Sequence, residues 1–478
     1  MYSVALNLDY LNNDNRSQHY DEQILSEDEE APADVDRRES IQDQDNHQGT
    51  PSSQGSEIHC PRQESKHEFK CYLLDEKYEK PWIKDSRYRA LRHGNWIIYI
   101  CILLALVFSA LLNWRIALSV PKHDYCLILD DSFTALNKDV WKHEVQVDGF
   151  GNGAFDWTTT DPKNAFTDKE GLHIVPTLTT ATTSITEGQI HDKFTLDLTR
   201  NAKGDGSCTA DQKSPAYKIQ CVIESNSTRR TIVPPVRSAR LTTRGTKSIQ
   251  YGRIEVTAKL PRGDWLWPAI RMMPEDSMYG PWPLSGEIDI MESHGNARGY
   301  PGHGRELVMS TLHWGPSVES EAFWRTTHAS TRKRHDYSEE FHTYGIEWSK
   351  DYLFTYLDNP LQQVLYVDFK RMGNLWTWGQ FQGHSENGST LKNPWVKSEN
   401  FNAPFDQRFY LVFHVAVGSS RGGFPNAVGN KPWNDAESSA PSDFYAARHK
   451  WEPTWGKGNS RGMTIKHVKM WQEGKCKH

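Results

Sequence analysis

The sequence predicts an all-β domain, a sandwich or a barrel, preceded by one membrane-spanning helix and an acidic tail. Three observations predict this order. After Lys122 the chain is a succession of short alternating runs broken by Gly, Pro, Asn and Asp, and no long segment has a period of 3.6. Residues 96–112 read WIIYICILLALVFSALL, with no charge. The first 60 residues hold 14 acidic and 3 basic side chains, whereas the remaining 418 hold 47 and 52. With 478 residues, 24% of them charged and 37% hydrophobic, the chain is too polar for a multi-pass membrane protein. The length suits one large domain with appendages. A net charge of -6 provides no basic footprint, so nucleic acid is not expected as a partner.

Taken in order, residues 1–94 read as a cytoplasmic tail. Its first 60 residues are rich in Asp, Gln and Ser and poor in aromatics, so they bury too little apolar surface to offset their ordering entropy. Residues 95–120 read as a signal-anchor. A span needs about 20 mostly apolar residues, and Trp96 and Trp114 stand at the edges of this run, where indole rings favour the interface. The 95 polar residues before it argue against a cleaved signal peptide. The 20 residues before Asn95 hold Lys77, Lys80, Lys84, Arg87, Arg89 and Arg92, against Arg115 and Lys122 in the 20 from Asn113. That bias predicts a single-pass type II protein, in contact with lipid through one span, with its C-terminal part lumenal or extracellular.

Residues 121–478 are the folded domain. Four of the seven cysteines fall here, as expected for an oxidising compartment. They allow three pairings. The reading favoured is Cys208–Cys221, a short loop, with Cys126–Cys476 stapling the two ends. Asn226 and Asn387 head glycosylation sequons on the same side. In RIEVTAKL, Ile254, Val256 and Ala258 alternate with Glu255, Thr257 and Lys259, a period of 2. The Trp/Gly/Pro-rich stretches 261–286 and 418–460 are expected as loops at the rim.

The sharpest local feature is Gly286-Glu287-Ile288-Asp289-Ile290-Met291-Glu292-Ser293. On a regular strand Glu287 and Asp289 share one face, while Glu292 has the wrong parity. One bulge residue near Met291 would restore it and place all three acids together. Crowded carboxylates raise at least one pKa, so that one acid stays protonated near neutral pH. A nucleophile and an acid about 5–5.5 Å apart are what glycoside hydrolysis with retention requires. A solvated acidic edge or a calcium site is the bland alternative. Trp265, Trp267 and Trp282 nearby provide flat rings for a sugar.

These residues, with Ser238-Ala239-Arg240-Leu241, Tyr251-Gly252-Arg253-Ile254-Glu255, His313-Trp314-Gly315, Tyr344-Gly345-Ile346-Glu347-Trp348, Ala403-Pro404-Phe405-Asp406, Val415-Ala416-Val417-Gly418 and Lys431-Pro432-Trp433, resemble glycoside hydrolase family 16 over about 130–474. The likeness is greatest to invertebrate endo-β-1,3-glucanases and β-1,3-glucan-recognition proteins. The resemblance implies a concanavalin-like β-jelly-roll with a cleft across its concave sheet. It also implies retaining cleavage of a β-1,3-glucan such as laminarin, with Glu287 as nucleophile, Glu292 as acid/base and Asp289 assisting. Arg240, Trp265, Trp267, Trp282, His313 and Asn152 would line the cleft. No cofactor is required, no metal is assigned, and a structural calcium ion remains compatible. Arg271 stands where relatives commonly have Trp, His294 where Arg is common and His414 where Asn is common. A glucan receptor without turnover and a wall-glucan transglycosylase are the competing readings. Gly418-Ser419-Ser420-Arg421-Gly422 matches a nucleophile elbow, but the sequence after it cannot form the required helix.

Overall fold

A computed structural model describes residues 80–119, 123–386 and 388–476. Most of the expected tail, and Asn387, lie outside these. The chain divides into two units, Met1–Pro121 and Lys122–His478.

In the first unit, Arg89–Ser119 is a helix of 31 residues. Within it Trp96–Arg115 is long and apolar enough to cross a membrane, with no part of that window buried. Twenty helical residues rise about 30 Å, the thickness of a hydrocarbon core. Its polar Asn113 is satisfied within the helix, donating from Nδ2 to the Ser109 carbonyl at 2.8 Å.

The second unit is built on two eight-stranded sheets, all of whose pairings are antiparallel. One sheet runs Gln363–Asp368, Tyr352–Leu357, His342–Trp348, Gly252–Lys259, Met463–Glu473, Gly171–Ile174, Ala165–Asp168, with Tyr125–Asp131 also on Met463–Glu473. The other runs Thr327–Thr331, Leu307–His313, Glu287–Glu292, Leu266–Pro274, Phe409–Val417, Arg240–Thr242, Lys142–Glu144, with Ser248–Ile249 also on Phe409–Val417. The alternation read in RIEVTAKL is the pattern of a strand with one face in the core, and Ile254, Val256 and Ala258 are fully buried. They share one apolar cluster with Ile270, Met272, Ile288, Leu411, Phe413 and Val415 from the facing sheet.

Two disulfides close this unit. Cys126–Cys476 joins the first strand to the segment just after the last one, across 350 residues, and Cys208–Cys221 closes a short loop. The second bridge lies in a separate apolar cluster with Ile190, Val233, Trp265, Phe424, Trp433, Phe444 and Trp451.

The two stretches expected as loops are only partly so. Residues 266–274 form a nine-residue strand at the centre of the second sheet. It is buried on both faces, so its side chains do not alternate in polarity and the period-2 signal is lost. Within 418–460, Ala440–Ala446 and Arg448–Trp451 are short helices. Their Phe444 and Trp451 rings stack at 4.5 Å in the second cluster.

Candidate active site

The site is built on Glu287–Glu292 and its neighbours. Against Leu266–Pro274 the register pairs Arg271 with Asp289 and Ile270 with Met291, which leaves Ile290 as the extra residue. The other neighbour shows the same shift, pairing Asp289 with Thr311 and Glu292 with Met309. This is the bulge that the spacing of the three acids demanded. Ile290 and Met291 both enter the core, 3% and 1% exposed, and Glu292 returns to the face that carries Glu287 and Asp289.

Arg271 lies against this row. Its Nη1 donates to Glu287 Oε1 at 2.8 Å and its Nη2 to Glu292 Oε1 at 2.6 Å. Its Nε lies 3.3 Å from Asp289 Oδ1. The opposite strand supplies His313, in register with Glu287. Its Nε2 is 3.0 Å from Asp289 Oδ2, and its Nδ1 meets Glu321. Both contacts to Asp289 are ion pairs off the line of a hydrogen bond. Asp289 is sealed at 1% exposure, while Glu287 and Glu292 keep an edge at 6% and 7%. Trp282, 39% exposed, donates from Nε1 to Glu287 Oε2 at 2.8 Å.

Burial pushes the Glu292 carboxyl up to about 8, reinforced by the neighbouring Asp289 charge and opposed by Arg271 and His313. Burial and Asp289 also raise Glu287, against the same two cations. For Asp289, burial is outweighed by Arg271 and His313, and its pKa falls. For His313, burial is outweighed by the Asp289 and Glu321 carboxylates beside its two ring nitrogens, which hold the ring well above the usual histidine value. The pattern is one sealed anion between two cations, flanked by two carboxyl groups that each keep a small exposed edge, of which Glu292 holds its proton through neutrality. Oxygen or nitrogen atoms of Asp289, Glu292 and His313 converge within 4.8 Å of one another. Arg271 already brings its positive charge to that point, so the cluster reads as an ion-pair network rather than a metal centre.

The other expected cleft residues are placed unevenly. Trp267 lies two and four residues before Ala269 and Arg271 on the same face, opposite Ala416, and is partly exposed. Arg240 stands opposite His414 and Glu144, pairs with Glu144 through Nε at 2.5 Å, and covers the Phe150 ring at 4.5 Å. Asn152 ends a short turn whose Phe150 lies beneath the Arg240 guanidinium and edge-on to His414 at 5.9 Å. The Asn152 carbonyl accepts from Ser419 Oγ at 2.7 Å. Trp265 is a correction. It is 4% exposed and packs edge-on against Tyr300, Phe424 and Trp433. Its φ of 67° turns it out of the strand's alternation before Leu266, so its ring enters the second cluster instead of the cleft. Asn226 is half-buried in a turn, its Oδ1 accepting from the Arg229 amide at 2.9 Å.

Glu144, Phe150 and Glu321 escaped the sequence reading, since each reaches the site from a strand or loop distant along the chain. His414 pairs with Asp156 at 3.2 Å, and His294, its pKa lowered to about 4 by burial, packs on Phe424 at 4.3 Å. The two carbonyls of Gly302 and His303 at 3.1 and 2.9 Å place the His294 proton on Nδ1.

Residues 193–379 match the model of glycosyl hydrolases family 16. The chain is 36% identical over 359 residues to a protein of Penaeus monodon named β-1,3-glucan-binding protein, covering 73% of this chain and 90% of that one. It is 33% identical over 205 residues to a protein of Cryptopygus antarcticus named glucan endo-1,3-β-glucosidase, covering 42% and 60%. Among solved structures, the laminarinase catalytic domain of Thermotoga maritima aligns with a TM-score of 0.43 at 21% identity, covering 74% of this chain and all of that one.

Proposed function

The chain belongs to glycosyl hydrolase family 16, and from that premise we propose that it is a membrane-anchored, retaining β-1,3-glucanase. Members of the family need no cofactor, so the protonation of the chain's own side chains has to supply the chemistry. The observation that carries the reading is the disposition of Glu287 and Glu292. Both lie on one face, both keep a small exposed edge, and one guanidinium spans them. That closeness favours direct attack over a gap wide enough for an intervening water.

In the first step Glu287 attacks the anomeric carbon, forming the C1–O bond of a glycosyl ester. The glycosidic C–O bond breaks, and its oxygen takes the proton of Glu292. In the second step Glu292, now a carboxylate, removes a proton from water. The water oxygen bonds to C1 and the ester bond to Glu287 breaks, restoring both groups. A sugar hydroxyl in place of water gives transglycosylation by the same route. Asp289, sealed between Arg271 and His313, carries fixed negative charge behind the anomeric centre and keeps the proton on Glu292. Trp282 and Trp267 offer ring faces to glucose units, and Trp282 also orients the nucleophile through its Nε1–H.

The helix Trp96–Arg115 and the Lys/Arg bias before it support a type II anchor, with residues 1–94 cytoplasmic, residues 121–478 lumenal or extracellular, and Asn226 and Asn387 as glycan acceptors. One observation favours a second reading, a glucan receptor without turnover. Both oxygens of Glu287 already accept hydrogen bonds, one from Arg271 and one from Trp282. The test is product analysis of the full-length protein with laminarin. Short β-1,3-oligosaccharides are expected, and tight binding with no new reducing ends would favour the receptor.

A further inference from the structure

The guanidinium of Arg271 is a fixed part of the site. Its residue is 6% exposed, and its backbone is locked between Glu287–Glu292 and Phe409–Val417 in the centre of the sheet. Nη1 and Nη2 are two arms of one rigid planar fork. Each arm ends on a different glutamate, so the gap between those carboxyl groups cannot change without breaking one of the bonds. We infer that Arg271 is a positioning residue of this site: its fork sets the separation of Glu287 and Glu292 and fixes the pH range in which one is an anion while the other is an acid. The inference rests on the hydrolytic reading above.

The neighbouring charges show why the role falls to this residue. On one side Arg271 faces Glu287, Asp289 and Glu292. Beyond them His313 is shared between Asp289 and Glu321. On the other side His414 pairs with Asp156, and Arg240 pairs with Glu144. Burial and the neighbouring arginines lower the His414 pKa, so Arg240 is the outer cation, and it has an anion of its own. The three central carboxyl groups depend chiefly on Arg271 and a share of His313, with a smaller contribution from Arg240 at Glu287 and Asp289. Two of them can be ionised with this support, Asp289 and Glu287, and the third keeps its proton. A neutral side chain at 271 would leave only His313 and the more distant, paired Arg240 to offset three carboxyl groups. Glu287 would then also hold a proton near neutral pH, and the nucleophile would be lost there.

The sign follows directly. A cation next to a carboxyl favours the anion and lowers its pKa, so removing Arg271 raises both glutamates, by about 1–3 pH units for an opposite charge at this range. Arg271 opposes the burial and the Asp289 charge that push Glu292 up, consistent with this direction.

The experiment uses the full-length protein in detergent with Arg271→Met, Arg271→Gln and Arg271→Lys. Two readouts are taken: the pH dependence of laminarin cleavage, and the infrared titration of the protonated carboxyl band that disappears in Glu292→Gln. In Arg271→Met both limbs of the pH profile and the infrared midpoint should move up by about a unit or more. Arg271→Gln, also neutral, should do the same and serves if the Met variant does not fold. Arg271→Lys keeps a charge but has no fork, so its limbs should stay near wild type while the rate falls at least about ten-fold. Limbs and infrared midpoint unmoved in a folded neutral variant overturn the inference while leaving hydrolysis intact. A wild-type protein that cleaves nothing at any pH refutes the hydrolytic reading instead. The infrared midpoint then still decides whether Arg271 sets the protonation of Glu292.

Discussion

Asp289→Asn separates the electrostatic part of the mechanism from its covalent part. The substitution keeps size and shape and deletes one negative charge, leaving Glu287 and Glu292 in place. An oxygen of Asp289 lies within 4.8 Å of one on Glu292. Two unit charges at that distance interact with about 3.5 kcal/mol at an effective dielectric of about 20, equal to roughly 2.5 pH units. Closest approach overstates the mean, and His313 loses its anion and some of its charge, which partly restores the Glu292 pKa. A net fall of about 1–2 units from its value near 8 is therefore expected. The sign is fixed by the charge removed: an adjacent anion makes Glu292 keep its proton to higher pH, and without it the proton leaves at lower pH. The alkaline limb of kcat for laminarin cleavage should move down by that amount, and kcat at the optimum should fall. The assay is reducing-sugar release across pH in a variant whose unfolding midpoint matches wild type. An alkaline limb that stays in place, or moves up, would refute the assignment of that limb to Glu292 under the Asp289 field.

Trp282→Phe removes the hydrogen bond to Glu287 but keeps an aromatic face. A hydrogen bond to a charged group contributes about 1.5–3 kcal/mol, so kcat/KM should fall roughly 10- to 150-fold while laminarin binding, read by calorimetry, changes little. Trp265→Ala and Trp267→Ala should diverge. The first truncates a ring in the second cluster and should cost about 3–5 kcal/mol in denaturant unfolding, whereas the second should weaken laminarin binding by about 1–3 kcal/mol with smaller loss of stability. Protease added to intact microsomes should trim residues before the helix and spare the β-domain; protection of the tail would reject the type II arrangement.

The acidic row was legible because its residues obey arithmetic. Three acids at Glu287, Asp289 and Glu292 share a face only if one residue is inserted, and the register inserts Ile290. The one-sided strand Gly252–Lys259 was legible for a similar reason, its core residues recurring every second position. Leu266–Pro274 was not, because a strand buried on both faces carries no alternation, and its Pro268 and flanking tryptophans resemble loop composition. Trp265 and Trp267 looked equivalent in sequence, and only the left-handed backbone at Trp265 separates them. Arg271 stood out as a departure, but its grip on three carboxylates depends on cross-strand register. Glu321, Phe150 and Glu144 likewise become partners only through the fold.

The central claim is that Glu287 forms a covalent glycosyl-enzyme which Glu292 then resolves. Glu292→Ala, given an activated aryl β-glucoside of suitable length, should form the intermediate with little need of an acid and stall there. Adding azide should release the sugar, and the anomeric configuration of the glycosyl azide is read by proton NMR. The account predicts a β-glycosyl azide from Glu292→Ala and none from Glu287→Gln. An α-glycosyl azide from Glu292→Ala, or β-azide from a protein lacking the Glu287 carboxylate, would contradict it.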